Sequence, residues 1–382
     1  MRKNIVVLII LMLIGMSTVT YAINEKETIE EHKQNFGIGT FIKNAEQYKG
    51  EFFEGTDINK VLEDAISGNI DNTTFIKKII NLLGKEFRVS IKNIFIILII
   101  IIIHSVLKSI SEGLENNNIS NIIYYVQYIL ITTIILSNFS DIITSVKETT
   151  ANLVGFINLL IPLLTSLMMY TGSITTSSLI EPIILFSINF ISNLIQNVLI
   201  PVVLIIASLS IISKISDKIQ LDKISKMMKS GVTWLLGVVL TVFVGIVSLE
   251  GTLSSSVDGI TAKTTKAVVS SAIPVVGKIL GDTVDTVLGC GVILKNALGV
   301  LGILIVIGIC IVPILKLGVL TICYKLLAGT CEVVADKKIV GLLDQIGDIF
   351  KILLAILSSI SVMLIIGITL IIKISNSGMM YR

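Results

Sequence analysis

The sequence predicts an all-α membrane protein whose helices cross a bilayer several times, and three observations support this fold class. The chain of 382 residues is 53% hydrophobic and only 15% charged, whereas soluble domains are about 25% charged. The apolar residues cluster into runs, several of which reach the roughly 20 residues that a helix needs to cross the hydrocarbon. One run, Ile96–Ile103, shows none of the apolar–polar alternation of a β-barrel strand.

Residues 1–22 have the features of an export signal. Arg2 and Lys3 precede a short apolar stretch, Ile5–Ile14, and Ala22 provides a small residue at a cleavage position. An uncleaved anchor is the alternative interpretation. In either case, we expect residues 23–90 to lie outside the cytoplasm.

Residues 23–90 form the one long polar segment, and we expect a short exocytoplasmic helical segment there. Apolar residues recur at helical spacing over 58–66 and over 75–83. Thr56 or Asp57 is a candidate N-cap and Gly68 a stop for the first helix, and Asp71 and Gly84 are the candidates for the second. Such amphipathic helices suit docking on a partner or on the membrane surface.

The remaining chain is predicted to be a multi-spanning domain over residues 91–375, with an amphipathic element near 270–290 and a tail at 376–382. The region at 183–212 is too long for one perpendicular crossing and contains Pro201. It is therefore one tilted, kinked helix or two half-spans forming a hairpin. We expect about seven or eight helices, with spans near residues 91–110, 122–140, 152–170, 183–212, 231–250, 292–315, 317–335 and 349–373.

The predicted spans conflict with the charge rule for orientation. The loop at 213–230 carries five lysines against two aspartates, which places it in the cytoplasm. Counting single crossings from an exported N-terminal segment places it outside. A hairpin at 183–212, or a re-entrant segment earlier in the chain, would remove the conflict.

No signature of an enzyme is present, and we expect neither catalysis nor a cofactor or metal. The chain lacks H-E-x-x-H, G-x-S-x-G and P-loop motifs. Its two histidines, His32 and His104, lie in different regions, and its four cysteines include no C-x-x-C pair. No basic tail or basic–aromatic stripe indicates a nucleic-acid partner, so the expected surroundings are the lipid bilayer and other proteins.

Polar residues inside the predicted spans are the candidates for function, because their burial in lipid is costly. Asn189, Asn193 and Asn197 fall on one helical face. That face either forms hydrogen bonds between helices or lines a water-filled passage. His104 and Lys108 also share a face, where Lys108 is expected to extend to the membrane interface. Lys325 either lines a polar path or shows that 317–335 is not a true span.

The stretch from Ser270 to Gly302 is the most distinctive part of the sequence. Lys278, Asp282 and Asp285 form a polar stripe opposite an apolar face. Gly277 and Gly281 allow close approach of another helix. The stretch is therefore either an amphipathic helix at the membrane interface or a re-entrant element that turns its polar stripe towards water.

This stretch resembles the stage III sporulation protein AE family of endospore-forming bacteria. The residues that carry the resemblance are Ile273–Lys278, Asp282 with Val284–Val287, and Leu294-Lys295-Asn296-Ala297. The order of export signal, polar helical segment and multi-spanning domain agrees with the family along essentially the whole chain.

The resemblance implies a permease-like membrane component of a secretion-like channel between mother cell and forespore. It also implies a location in the mother-cell membrane around the forespore. The implied partners are other stage III sporulation A-group membrane proteins, a separate ATPase and a forespore docking protein. An independent secondary transporter is the alternative. We hypothesise that a polar route or docking seam is formed by Lys278, Asp282, Asp285, Lys295, Asn296, Asn189, Asn193 and Asn197.

Overall fold

The computed structural model describes residues 25–69, 72–113, 117–215, 221–272 and 276–377. Throughout these ranges the secondary structure is helical, with no strand, so the all-α prediction is confirmed. The export signal predicted at 1–22, the candidate cap Asp71 and the motif residues Ile273, Pro274 and Val275 lie outside the described residues. The export signal therefore stays a prediction.

Three short helices precede the long ones. They are α1 (Glu25–Asn35), α2 (Ile38–Ala45) and α3 (Ile58–Ser67), with 3-10 turns at Glu46–Tyr48 and Glu51–Phe53. The predicted ends of α3 are confirmed. The Asp57 side chain accepts the Asn59 backbone N–H at 2.9 Å, and Gly68 ends the helix with φ 73°, a conformation that costs glycine little.

Seven long helices follow, two of which form one continuous rod. The π turn Ile195–Leu199 joins α6 to α7 without a break. Pro201, which lacks a backbone N–H, follows this turn at the start of α7, where the regular helical hydrogen bonding is already altered. The helices are α4 (Asn72–Gly113), α5 (Asn117–Tyr170), α6 (Ile174–Leu194), α7 (Ile200–Ile215), α8 (Asp222–Ala272), α9 (Val276–Cys331) and α10 (Lys337–Ser377).

The predicted number of spans was wrong, because several of the predicted spans share one helix. Six described stretches are long and apolar enough to cross a membrane. The expected spans 122–140 and 152–170 both belong to α5, and 292–315 and 317–335 both belong to α9. The hairpin alternative for 183–212 was also wrong. Gly84 does not stop a helix, since α4 continues from the polar segment to Gly113.

This helix count removes the conflict over orientation. Three rods rather than four separate the N-terminal segment from the lysine-rich loop. The loop therefore lies at the end of the bundle away from where α4 begins. We call this end, where α4, α7 and α9 finish and α5, α8 and α10 begin, the lysine end. Tyr124 at the start of α5 donates to the Lys214 carbonyl at the end of α7 at 2.7 Å.

The long helices exceed the thickness of a bilayer. The 56 residues of α9 span about 84 Å at 1.5 Å per residue, against a hydrocarbon core of roughly 30 Å. Near the lysine end, α4, α5 and α8 expose large apolar side chains over 95–110, 122–136 and 224–249. Further along α5, the exposed residues include Asp141, Lys147, Glu148 and Asn152. We therefore place the lipid belt towards the lysine end, although α4 and α6 expose apolar side chains beyond it.

The N-terminal segment packs against α5 and α9 through glycines. A Cβ at Gly308 would lie 2.5 Å from the Phe53 ring, and a Cβ at Gly50 would lie 2.6 Å from the Gly308 carbonyl oxygen. A Cβ at Gly155 would lie 2.7 Å from the Tyr48 hydroxyl. Backbone and aromatic rings thus approach the two long helices where no side chain intervenes.

This architecture predicts that residues 60 and 333 lie on opposite sides of the membrane. The test uses single cysteines introduced at Lys60, Lys223 and Val333 in a cysteine-free chain. We expect Lys60→Cys to be labelled from outside and the other two to be labelled from the cytoplasm. All three positions are exposed, so differences in reactivity report the side rather than burial. Labelling of Lys223→Cys and Lys60→Cys from the same side would contradict the three-rod topology.

Candidate functional site

The three asparagines predicted to share a face do so, and that face is the outer surface of the bundle. Asn189, Asn193 and Asn197 are all exposed. The Asn189 side-chain amide donates to the Leu185 carbonyl at 2.7 Å and lies 3.4 Å from Oδ1 of Asn158 on α5. One hydrogen bond between helices is therefore present, and the rest of the face is open to contact from outside the chain.

The residues that carry the family resemblance lie on α9, at different depths. Lys278, Asp282 and Asp285 occupy its first turns, and their side chains lie outside the described residues. Of the amphipathic element predicted near 270–290, the residues from Val276 onward belong to α9, which continues to Cys331. Deeper in the bundle, Lys295 is fully buried at 0% exposure, and Asn296 is half-buried.

A buried carboxylate caps α6 from another helix. The two oxygens of Asp258 on α8 accept the backbone N–H groups of Thr175 and Thr176, each at 2.9 Å, and Asp258 is 4% exposed. Helix N-termini carry unsatisfied N–H groups and a partial positive charge, so a carboxylate stabilises them. Sequence reasoning missed Asp258, which lies 83 residues from Thr175.

The turn between α5 and α6 is therefore held from two directions. On one side lies the Asp258 cap, and on the other lies α9, where a Cβ at Gly291 would come within 3.1 Å of Tyr170 and Thr171. Lys295 lies one helical turn beyond Gly291. The Lys295-Asn296-Ala297 stretch thus lies close to the buried turn that joins α5 and α6.

An ion-pair network joins four helices near the lysine end. Lys325 on α9 contacts Asp344 and Asp348 on α10, each at 2.6 Å. Asp348 also meets Lys229 on α8 at 3.3 Å. Lys325 was predicted either to line a polar path or to show that 317–335 is not a true span. The second alternative is confirmed, because this region belongs to the single stretch Val287–Cys331, and Lys325 there bridges α9 to α10.

A second group of contacts extends this network to α7. Lys214 pairs with Asp222 at 2.6 Å, and Gln345 donates to the other Asp222 oxygen at 3.0 Å. Ions held by partners on different helices fix the relative position of those helices, provided that every charge is compensated. The network therefore fixes how α7, α8, α9 and α10 meet.

His104 and Lys108 share one partner in the turn that follows α9. His104 Nε2 donates to one oxygen of Asp336 at 3.0 Å, and Lys108 contacts the other oxygen. Burial opposes ionisation of Asp336, but the hydrogen bonds from Lys108 and His104 outweigh it and hold the pKa of that carboxyl below its ordinary value. Lys108 was predicted to extend to the membrane interface; in the structure its side chain is partly exposed and binds a carboxylate 228 residues away.

Nothing in the described ranges resembles a metal centre. No group of three or more His, Cys, Asp or Glu side chains that could hold an ion occurs in that part of the chain. All four cysteines are buried, and none of them forms a disulfide. The polar side chains of the bundle instead form contacts between helices.

Comparison with known proteins identifies the family of this bundle. The family described as stage III sporulation protein AE matches residues 56–375. The stage III sporulation protein AE of Bacillus subtilis (strain 168) is 26% identical over 393 residues, covering 99% of this chain and 98% of that relative. No solved structure matches. The family match covers more than half of the chain, so this six-rod membrane protein belongs to the stage III sporulation protein AE family.

Proposed function

We propose that the protein is a permease-like membrane component of a secretion-like channel between mother cell and forespore. The observation that carries the proposal is the family match along residues 56–375 in a chain whose described part has six stretches long and apolar enough to cross a membrane. In this proposal the protein resides in the mother-cell membrane around the forespore. It works there with other stage III sporulation A-group proteins, a separate ATPase and a forespore docking protein, and it catalyses no reaction of its own.

The outward position of the asparagine face favours docking over a passage enclosed within one chain. Asn193 and Asn197 are exposed on the rod that also carries the exposed, stacked rings of Phe186 and Phe190. Amides that face lipid without partners are costly, and a neighbouring helix supplies hydrogen bonds to them. We propose that a partner subunit of the channel covers this face.

The start of α9 is proposed as a second docking element. Lys278, Asp282 and Asp285 repeat at helical spacing at the end of the bundle away from the lysine end. The exported N-terminal segment begins at that same end. A partner between the two membranes could therefore reach the polar stripe and the N-terminal segment together.

Asp282→Ala and Asp285→Ala are expected to impair sporulation while the protein stays in the membrane. A docking contact worth about 2 kcal/mol lowers partner affinity roughly thirtyfold when it is lost. Heat-resistant spore yield in the native spore-forming host measures the effect, and immunoblots of the membrane fraction measure protein level. Glu332→Ala, an exposed acid at the lysine end, is the matched control. Wild-type spore yield from both aspartate variants would refute the docking role of this stripe.

A further inference from the structure

Several buried polar side-chain atoms on α4 and α5 have no hydrogen-bond partner in the described part of the chain. They include His104 Nδ1 and both side-chain amide atoms of Gln127. His104 and Gln127 are each only 3% exposed. A buried polar atom that makes no hydrogen bond costs about 1–3 kcal/mol. Several such atoms along one contact between helices therefore call for a functional explanation.

The register of the two antiparallel helices brings His104 and Gln127 to the same height. Asn93 on α4 donates to Asn138 on α5 at 3.3 Å, which fixes how the helices align. His104 lies eleven residues after Asn93, and Gln127 lies eleven residues before Asn138. Both therefore lie the same distance along the bundle from that pair, towards the lysine end.

A chain of polar groups connects this pair to the lysine end. Because His104 Nε2 donates to Asp336, a neutral His104 leaves Nδ1 as a free acceptor facing away from that carboxylate. The side chains of Asp336 and Lys108 are 23% and 34% exposed. Polar contacts thus lead from the surface at the lysine end to the buried imidazole.

A layer of isoleucines closes the seam beyond His104. Ile97 and Ile101 on α4 and Ile131 and Ile135 on α5 are at most 1% exposed. Past this layer come Asn93 and Asn138, which form a hydrogen bond with each other, and the Tyr324 hydroxyl, which interacts with the Asn138 side chain. Two polar regions are therefore separated by closely packed apolar side chains, an arrangement that can gate a path by excluding water.

We propose that His104 and Gln127 form the inner end of a hydrated proton path that opens at the lysine end and is closed by the isoleucine layer. Because the four isoleucines are at most 1% exposed, the proposed ligand is a proton carried by water rather than a hydrated metal ion or a peptide. Water fills sites that offer two or more polar partners, and the imidazole of His104 has two ring nitrogens, so it can accept a proton on one and donate a proton from the other. Beside it, α4 contributes Lys108 and the turn after α9 contributes Asp336, and the neutral side chain of Gln127 lies at the same height on α5.

The first measurement is thiol accessibility in the full chain with its native cysteines replaced by alanine. Gln127→Cys is expected to react with a small, charged, membrane-impermeant thiol reagent applied at the lysine end. Ile135→Cys, which lies two helical turns deeper on α5, is the matched control and should stay unreactive. Equal protection of both cysteines would overturn the proposal, because the pocket would then be dry.

The second measurement is proton flux in proteoliposomes that contain an internal pH-sensitive dye. Ile101→Asn places a polar group in the closing layer and is expected to raise potential-driven proton flux at least about tenfold over lipid alone. Adding His104→Leu should abolish the increase. Ile103→Asn makes the same change on the exposed face of α4 and should leave flux unchanged. The proposal fails if Ile101→Asn and Ile103→Asn conduct equally. Neither measurement involves sporulation, so this result is independent of the docking test.

Discussion

Gly308→Ala is expected to loosen the N-terminal segment from the membrane bundle and to destabilise the protein by about 1–3 kcal/mol. The new Cβ would lie 2.5 Å from two ring atoms of Phe53 and 3.2 Å from the Lys49 carbonyl oxygen. Phe53 is itself 3% exposed, so its ring has little room to move. The expected readouts are faster proteolysis within residues 25–69 and a lower unfolding temperature in detergent or nanodiscs.

Gly318→Ala is the matched control for this prediction. Gly318 lies on the same helix, and a Cβ there would meet nothing within 4 Å. Because alanine favours helix more than glycine does, this control should be neutral or stabilised by up to about 1 kcal/mol. The Phe53→Ala change should reduce the penalty of Gly308→Ala, since removing the ring removes the clash. If Gly308→Ala and Gly318→Ala changed the stability in the same direction, the N-terminal segment would not pack on α9 as described.

The sequence predicted elements whose causes are local. Hydrophobic periodicity located α3, and the Asp57 cap and the Gly68 stop follow from the chemistry of those two residues alone. Apolar runs identified the membrane-spanning stretches and their helical character. The predicted spans 122–140 and 152–170 were separated because Lys147 and Glu148 interrupt the apolar pattern. In the structure these two residues remain helical and lie on an exposed face of α5, beyond the proposed lipid belt.

The contacts that organise the polar groups could not be predicted, because they depend on how helices distant in sequence align. His104 and Lys108 were singled out as a pair, but their shared partner Asp336 depends on where α9 ends. Asp258 was not singled out at all, since an aspartate in mid-helix gives no local sign that it caps α6. Gln127 likewise becomes a candidate only because the register set by the Asn93–Asn138 contact places it at the height of His104.

Lys325→Met is expected to weaken the packing of α9 on α10 more than the substitution of any other lysine would. Lys325 bridges Asp344 and Asp348 at 2.6 Å each. Without Lys325, the carboxylates of Asp344 and Asp348 lie close together. Among the described residues, Lys229 then remains as the cation that pairs with Asp348. A penalty of about 1–3 kcal/mol is expected, between the values typical of exposed and of buried ion pairs. Thermal unfolding in nanodiscs is the measurement.

Lys351→Met is the matched control, because Lys351 is exposed on α10 and its loss should change stability by no more than about 0.5 kcal/mol.

A second variant distinguishes lost charge balance from lost packing. Asp344→Asn removes one of the two acids that Lys325 neutralises, so Lys325→Met combined with Asp344→Asn should be more stable than Lys325→Met alone. If the double variant were no more stable than the single one, the side-chain stem of Lys325 rather than its charge would hold α9 against α10. The ion-pair network would then follow from the helix packing and would not fix it.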